Sequence, residues 1–235
     1  MHESFEAPAA IETWAKSKKH KITYTRLYQG DKLPCQVDAF DFLVIMGGPQ
    51  SPATTTEQCP HFDAQKEIEL IRMAISKDKA ILGVCLGAQL VGEALGAKFE
   101  HSPSREIGVF DLTLTEAGKI SPPFSSFPGK FAVGHWHGDM PGLTSDAQIL
   151  AYSEGCPRQI IKYGPKVYGF QCHFEFTPTV IEGMLENCSA ELEKHKKLPY
   201  VQNAETLRSS DYDIMNEYLF QFLYHIESMQ MNKNI

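Results

Sequence analysis

Cys85 stands in the run Gly83-Val84-Cys85-Leu86-Gly87. This is the G-x-nucleophile-x-G spacing, in which a strand turns sharply into a helix and flanking glycines remove side chains that would clash. A thiol held in such a turn is presented for attack. The N-terminus of the helix opening near Gly87 is expected to lower its pKa towards thiolate. Taken alone, the pentapeptide suits a structural cysteine packed between glycines equally well.

A second segment, Phe170-Gln171-Cys172-His173-Phe174-Glu175-Phe176-Thr177-Pro178, places His173 and Glu175 two residues apart before a proline. In extended chain, i and i+2 point the same way. A histidine that takes the thiol proton and a carboxylate that fixes its tautomer then come from one short stretch, completing a nucleophile, base and orienter. By itself the pair also suits a solvated strand edge. Beside a cysteine elbow it reads as the rest of a triad.

Two further segments carry polar groups at strand ends. Met46-Gly47-Gly48-Pro49-Gln50-Ser51-Pro52 offers backbone N–H groups free of side chains, and Gly48 with the N–H of Leu86 is the candidate oxyanion pair. Gly134-His135-Trp136-His137-Gly138-Asp139 holds two histidines and an aspartate. His135 and His137 lack a third ligand at readable spacing, so no metal is expected and the segment reads as a pocket wall.

The elements that must position these groups follow from periodicity. Residues 9 to 18 are spaced as a helix and 21 to 28 (KITYTRLY) alternate as a strand. DFLVIMGG (41 to 48) is a buried strand opening into a loop, 62 to 76 an amphipathic helix, 80 to 84 a second buried strand and 87 to 96 a helix closed by Gly96. Strands are expected at 106 to 115, 130 to 137 and 166 to 172, with shorter apolar runs between the last two and helices from 178 onward. This alternation implies an α/β fold: a doubly wound, mostly parallel sheet with helices on both faces and active groups at strand C-termini.

The chain of 235 residues, 43% hydrophobic, suits one such domain over residues 1 to 185 with a helical extension, 186 to 235, packed on it. With 22 Lys plus Arg against 29 Asp plus Glu and a net charge of -7, it lacks an electrostatic footprint for nucleic acid. No 18 uncharged apolar residues run together and the N-terminus has no apolar leader, so a cytoplasmic protein with no membrane partner is expected. The six cysteines are read as reduced thiols, none at C-x-x-C spacing.

In order along the chain, MGGPQSP, GVCLGAQL, HWHGD and FQCHFEFTP resemble the class I glutamine amidotransferase family, particularly stand-alone proteins similar to the glutaminase domain of GMP synthase. The resemblance covers roughly residues 3 to 185, and the joint occurrence of elbow, glycine loop and H-x-E is far more specific than any one motif. It implies a flavodoxin-like fold and no cofactor. It implies that Cys85 attacks the side-chain amide of glutamine, that His173, oriented by Glu175, passes the proton to the leaving ammonia, and that water hydrolyses the γ-glutamyl thioester. Gly48 and Leu86 match the oxyanion donors. Gln89 matches a residue of the glutamine pocket, and Trp136, His137, Gly138 and Asp139 match the segment whose backbone holds the amino-acid end of the substrate.

Two departures from the family pattern stand out. The chain opens at the segment HESFEAPAAIETWA, so the family's first strand is expected to be absent, and residues 180 to 235 are too few and too helical for an ATP-dependent synthetase domain. Any ammonia acceptor would then lie on a separate chain, or there is none. Hydrolysis of another γ-glutamyl bond is the alternative enzyme activity. A redox-sensing relative is the alternative from another class, and such relatives usually lack the H-x-E pair.

Overall fold

The computed structural model describes residues 1 to 231. Its elements in chain order are α1 (Ala9–Ser17), β1 (Phe42–Ile45), α2 (Ala64–Ser76), β2 (Ala80–Val84), α3 (Leu86–Ala94), β3 (Glu100–Leu114), α4 (Glu116–Ile120), β4 (Lys130–Met140), β5 (Gln148–Tyr152), β6 (Ile160–Gly164), β7 (Val167–Phe170), α5 (Pro178–Asn187), α6 (Ser189–His195), α7 (Ala204–Ser209) and α8 (Asp213–Met231). Short 3-10 turns lie at Leu27–Gln29 and Pro122–Phe124.

Every residue of β2 is buried, and its side chains divide between two cores. Ala80, Leu82 and Val84 face a core that includes Trp14 of α1 and Leu219, Phe222 and Leu223 of α8. Ile81 faces the other, with Ile68 and Ile71 of α2 and Leu90 and Val91 of α3. This period-2 division puts helices on both faces of the sheet. Helix starts follow local chemistry: the Asp63 side chain accepts from Lys66 N ahead of α2, and Thr177 accepts from Val180 N with a proline in the first turn of α5.

One sheet of seven strands has the order β1-β2-β7-β6-β5-β3-β4. The α/β class holds, in the form of a mixed sheet. β1, β2 and β7 run parallel, whereas β7–β6, β6–β5, β5–β3 and β3–β4 are antiparallel. The expectation of a mostly parallel sheet is therefore corrected. A parallel neighbour needs a long crossover, and β6 reaches β7 through only Pro165 and Lys166, which allows nothing but a hairpin.

Residues 21 to 28 are not a strand. Their alternation is real, but the segment pairs at two points only, where Met1 N donates to Thr25 O and Leu27 N to Met1 O. Among the described residues no strand precedes β1. Near the C-terminus, α5 runs through residue 185, the expected boundary of the catalytic domain, and α8 joins the same core as the sheet. Residues 232 to 235 of the expected helical extension lie outside the described residues. Among those described, no helix is long and apolar enough to cross a membrane.

Candidate active site

Cys85 sits between β2 and α3 with φ 52° and ψ -110°, in the positive-φ region that costs a non-glycine residue on the order of 1–3 kcal/mol. The neighbouring glycines make this turn feasible. A methyl group on Gly83 would lie 2.3 Å from Gly87 O, and one on Gly87 would lie 2.1 Å from Ile45 O. Cys85 N donates to Phe170 O at 2.7 Å, tying the elbow to the end of β7. The segment of His173 and Glu175 follows directly from that strand end.

His173 and Glu175 are both buried, with Nδ1 and Oε1 2.6 Å apart. With the Nδ1 hydrogen donated to Glu175, Nε2 is left as the basic nitrogen, and it has no hydrogen-bond partner among the described residues. The ring stacks on Phe176 at 4.2 Å and 12°. Its backbone is fixed to β4 in both directions, His173 N to Gly134 O at 2.8 Å and Gly134 N to His173 O at 3.0 Å. Burial pulls the imidazole pKa down, but the Glu175 carboxylate and the Cys85 sulfur outweigh it and hold His173 well above its ordinary value.

The Cys85 thiol moves the other way from the expectation. Burial raises its pKa, and the opposing pull of His173 and of the Leu86 N–H at the head of α3 offsets this only in part. Gln171 Nε2 also donates to the sulfur at 3.4 Å, and Gln89 Nε2 donates to Gln171 Oε1 at 3.2 Å, forming a buried amide relay behind the sulfur.

The glycine loop stands beside the elbow. Gly48 donates its N–H to no protein backbone acceptor among the described residues. His2 supports the loop from beneath, joined through Nδ1 to Gly47 O at 2.8 Å and through Nε2 to Glu67 at 2.9 Å. One cavity brings together Cys85, Gly48, Gln89, Trp136, His137, Gly138 and Asp139. At its mouth, Glu191 of α6 pairs with Arg105 of β3 and accepts from Trp136 Nε1 at 2.9 Å. Asp139 pairs with His101 at 2.7 Å.

His135 and His137 do have a third partner, which the sequence hid because it lies on another strand. Glu106 faces His137 across β3 and β4, and its Oε2 is 3.3 Å from His137 Nε2 and 3.6 Å from His135 Nδ1. All three residues are buried, and their donor atoms lie within 4.8 Å of one another, a spacing a metal ion could use. The Gln159 amide nitrogen stands among them, 2.6 Å from Glu106 Oε2 and 3.2 Å from each histidine. An amide nitrogen is a donor rather than a metal ligand, so the group is organised here as a hydrogen-bonded hub joined also by Ser153. Burial raises the Glu106 pKa, but hydrogen bonds and charge from the histidines and Ser153 bring it below its ordinary value.

Sequence reasoning missed Gln171, Arg105, Glu191 and Glu6. Gln171 was within reach, since continuing the alternation of His173 and Glu175 one step back along the strand lands on it. Glu6 lines the cavity beside Cys85, yet it precedes the first helix and carries no motif of its own.

A model of the family described as glutamine amidotransferase class-I matches residues 10–192. The chain is 48% identical over 223 residues to the glutamine amidotransferase-like protein YfeJ of Salmonella typhimurium, covering 95% of this chain and 93% of that one. It is 26% identical over 159 residues to a subunit of the glutamine-hydrolyzing GMP synthase of Methanococcus maripaludis, covering 65% of this chain and 76% of that one. A glutamine amidotransferase of Thermotoga maritima, solved by crystallography, superposes with a TM-score of 0.83 at 26% identity, covering 96% of this chain and 95% of that one. By this match and by the geometry of its elbow, the chain belongs to the class-I glutamine amidotransferase family.

Proposed function

We propose that this protein hydrolyses the side-chain amide of glutamine to glutamate and ammonia. The observation that carries the reading is the strained Cys85 elbow, which lines the cavity, beside a buried His173–Glu175 pair whose imidazole acts on the sulfur. His173 Nε2 takes the thiol proton and Cys85 Sγ attacks the amide carbon. The N–H groups of Gly48 and Leu86 receive the negative charge that develops on oxygen. His173 then returns the proton to the departing nitrogen, leaving a γ-glutamyl thioester that water cleaves by the reverse sequence. Gln89 and the Trp136–Asp139 segment hold the amino-acid end of the substrate. A relative named as one subunit of a glutamine-hydrolyzing GMP synthase supports an ammonia acceptor on a separate chain, and the cytoplasm is the proposed place of action.

Glutamate and ammonia release from glutamine, set beside a panel of γ-glutamyl peptides, tests the reading. Cys85→Ala should abolish turnover, and a glutamine-like electrophile should label Cys85 alone among the cysteines. Turnover of γ-glutamyl peptides with indifference to glutamine would move the protein to the alternative substrate, and a fully active Cys85→Ala protein would sink the mechanism.

A further inference from the structure

Among the ionisable side chains of the cavity that the triad leaves unused, Glu6 is the carboxyl with neither an ion pair nor a hydrogen bond to the rest of the described protein. Glu6 is only 8% exposed, and among the described residues no hydrogen bond reaches its carboxyl group. A buried carboxyl without donors is costly, so such a group commonly marks a place where a ligand supplies them. Its pKa is pushed up to about 7, chiefly by burial, with the charges of His173 and then His2 acting against the rise.

Its position relative to the reacting atoms follows from three contacts. A methyl group on Gly47 would stand 2.1 Å from Glu6 Oε2 and 3.4 Å from Cys85 Cβ, so the bare glycine is the gap through which the carboxylate approaches the nucleophile. The segment that carries it is tied to the base segment, because Ala10 N donates to Glu175 O at 3.3 Å. His173 is the strongest charge acting on Glu6, and Glu6 in turn raises the pKa of Cys85. Glu6 therefore flanks the nucleophile and the base, whereas Arg105, Glu191 and Asp139 stand at the mouth with the strand that holds the amino-acid end.

One substrate group must pass between Cys85 and His173, and that is the leaving nitrogen, which bears N–H donors. We propose that Glu6 is a catalytic residue for the departing amine, accepting one of its N–H hydrogens while His173 protonates the same nitrogen. The inference rests on the amidase reading above. In the step concerned, the S–C bond forms and the C–N bond breaks with its electron pair going to nitrogen. The proton that Cys85 gave to His173 passes from Nε2 to that nitrogen, which leaves as ammonia still hydrogen-bonded to Glu6. The carboxylate needs no proton of its own. It restrains the rotation of the amide nitrogen, so that the lone pair exposed as the tetrahedral intermediate forms points at Nε2.

An ester has no N–H at the leaving atom, which gives the test. Single-turnover release of ammonia from glutamine and of alcohol from a γ-glutamyl ester is measured for the wild type, Glu6→Gln and Glu6→Ala. Each rate is normalised to active sites titrated by a glutamine-like electrophile at Cys85, which removes misfolded protein from the comparison. Ammonia release should fall about tenfold to a hundredfold while alcohol release stays within about threefold. Equal losses on amide and ester would overturn the proposal, because Glu6 would then serve the γ-glutamyl part shared by both substrates, and so would an unchanged amide rate. Failure of the amidase reading looks different: the wild type itself would show no Cys85-dependent release from glutamine.

Discussion

Gln171 donates its side-chain amide to the sulfur of Cys85 from two residues before His173, so one strand end supplies the proposed base, its orienter and a donor to the sulfur. Burial and then the Glu6 carboxylate push the Cys85 thiol upward, and an N–H directed at sulfur favours the anion over the neutral thiol. Gln171→Leu keeps the bulk and removes the donor. Alkylation of Cys85 by iodoacetamide should require a higher pH in the variant, and the rate on glutamine should drop about tenfold or more, the weight of one hydrogen bond to a charged atom. An unshifted alkylation profile would show that the contact does not reach the thiolate.

The pairing of His173 with Glu175 has a pH signature. Because the folded-state pKa of His173 lies above its unfolded value, the pair's contribution to stability is complete below the ordinary histidine range and is lost as pH rises through the raised value. Glu175→Gln should therefore lower the melting temperature most in mildly acidic solution, with the difference narrowing at alkaline pH. Its rate on glutamine should fall by about 10²- to 10⁴-fold.

The hub around Glu106 behaves oppositely. A lowered carboxyl pKa contributes stability above the unfolded value and loses it as pH falls. Glu106→Leu leaves His135, His137, Ser153 and Gln159 without their shared acceptor and should destabilise the protein by about 3 kcal/mol or more at neutral pH. Denaturant unfolding at pH 7 and again below pH 4 should show the difference shrinking. In metal-free buffer the result should be the same, since the amide of Gln159 organises the group.

Glycine positions separate strain from collision. Gly96 has φ 87° and open space around it, so Gly96→Ala should cost only about 1 kcal/mol of backbone strain. Gly87→Ala drives a methyl group into Ile45 O and should cost about 3 kcal/mol or prevent folding. Equal unfolding midpoints for the two variants would contradict the packing described for the elbow.

The chemistry that was legible in the sequence is the chemistry written in consecutive residues. Cys85 with its two glycines, and His173 with Glu175, need no knowledge of topology beyond a strand and a turn. Glu106 and His137 are adjacent only because β3 and β4 pair, and Glu6 reaches Cys85 only because the first segment crosses the ends of β1 and β7. The parallel character of the sheet was overstated for a related reason. Buried strands of β2 type dominate the apolar signal, while the hairpin at Gly164-Pro165-Lys166 is a short cue that outweighs it in deciding direction. Among the described residues, 21 to 28 alternate with only Met1 to pair with, and alternation alone does not make a strand.

His173 and Gly134 hold each other's backbone from both sides, so the proton-transfer group and the strand carrying the substrate-side residues form one stiff piece. In the proposed reaction, loosening that strand's hold on the product would drag the imidazole out of line. The contact from outside the sheet is made by Glu191 of α6, which clasps Arg105 and Trp136 on that same side and shares no hydrogen bond with Cys85, His173 or Glu175. On the proposed reading, the exit of product is then separable from the chemistry, because parting Glu191 from its two partners breaks no hydrogen bond of Cys85, His173 or Glu175.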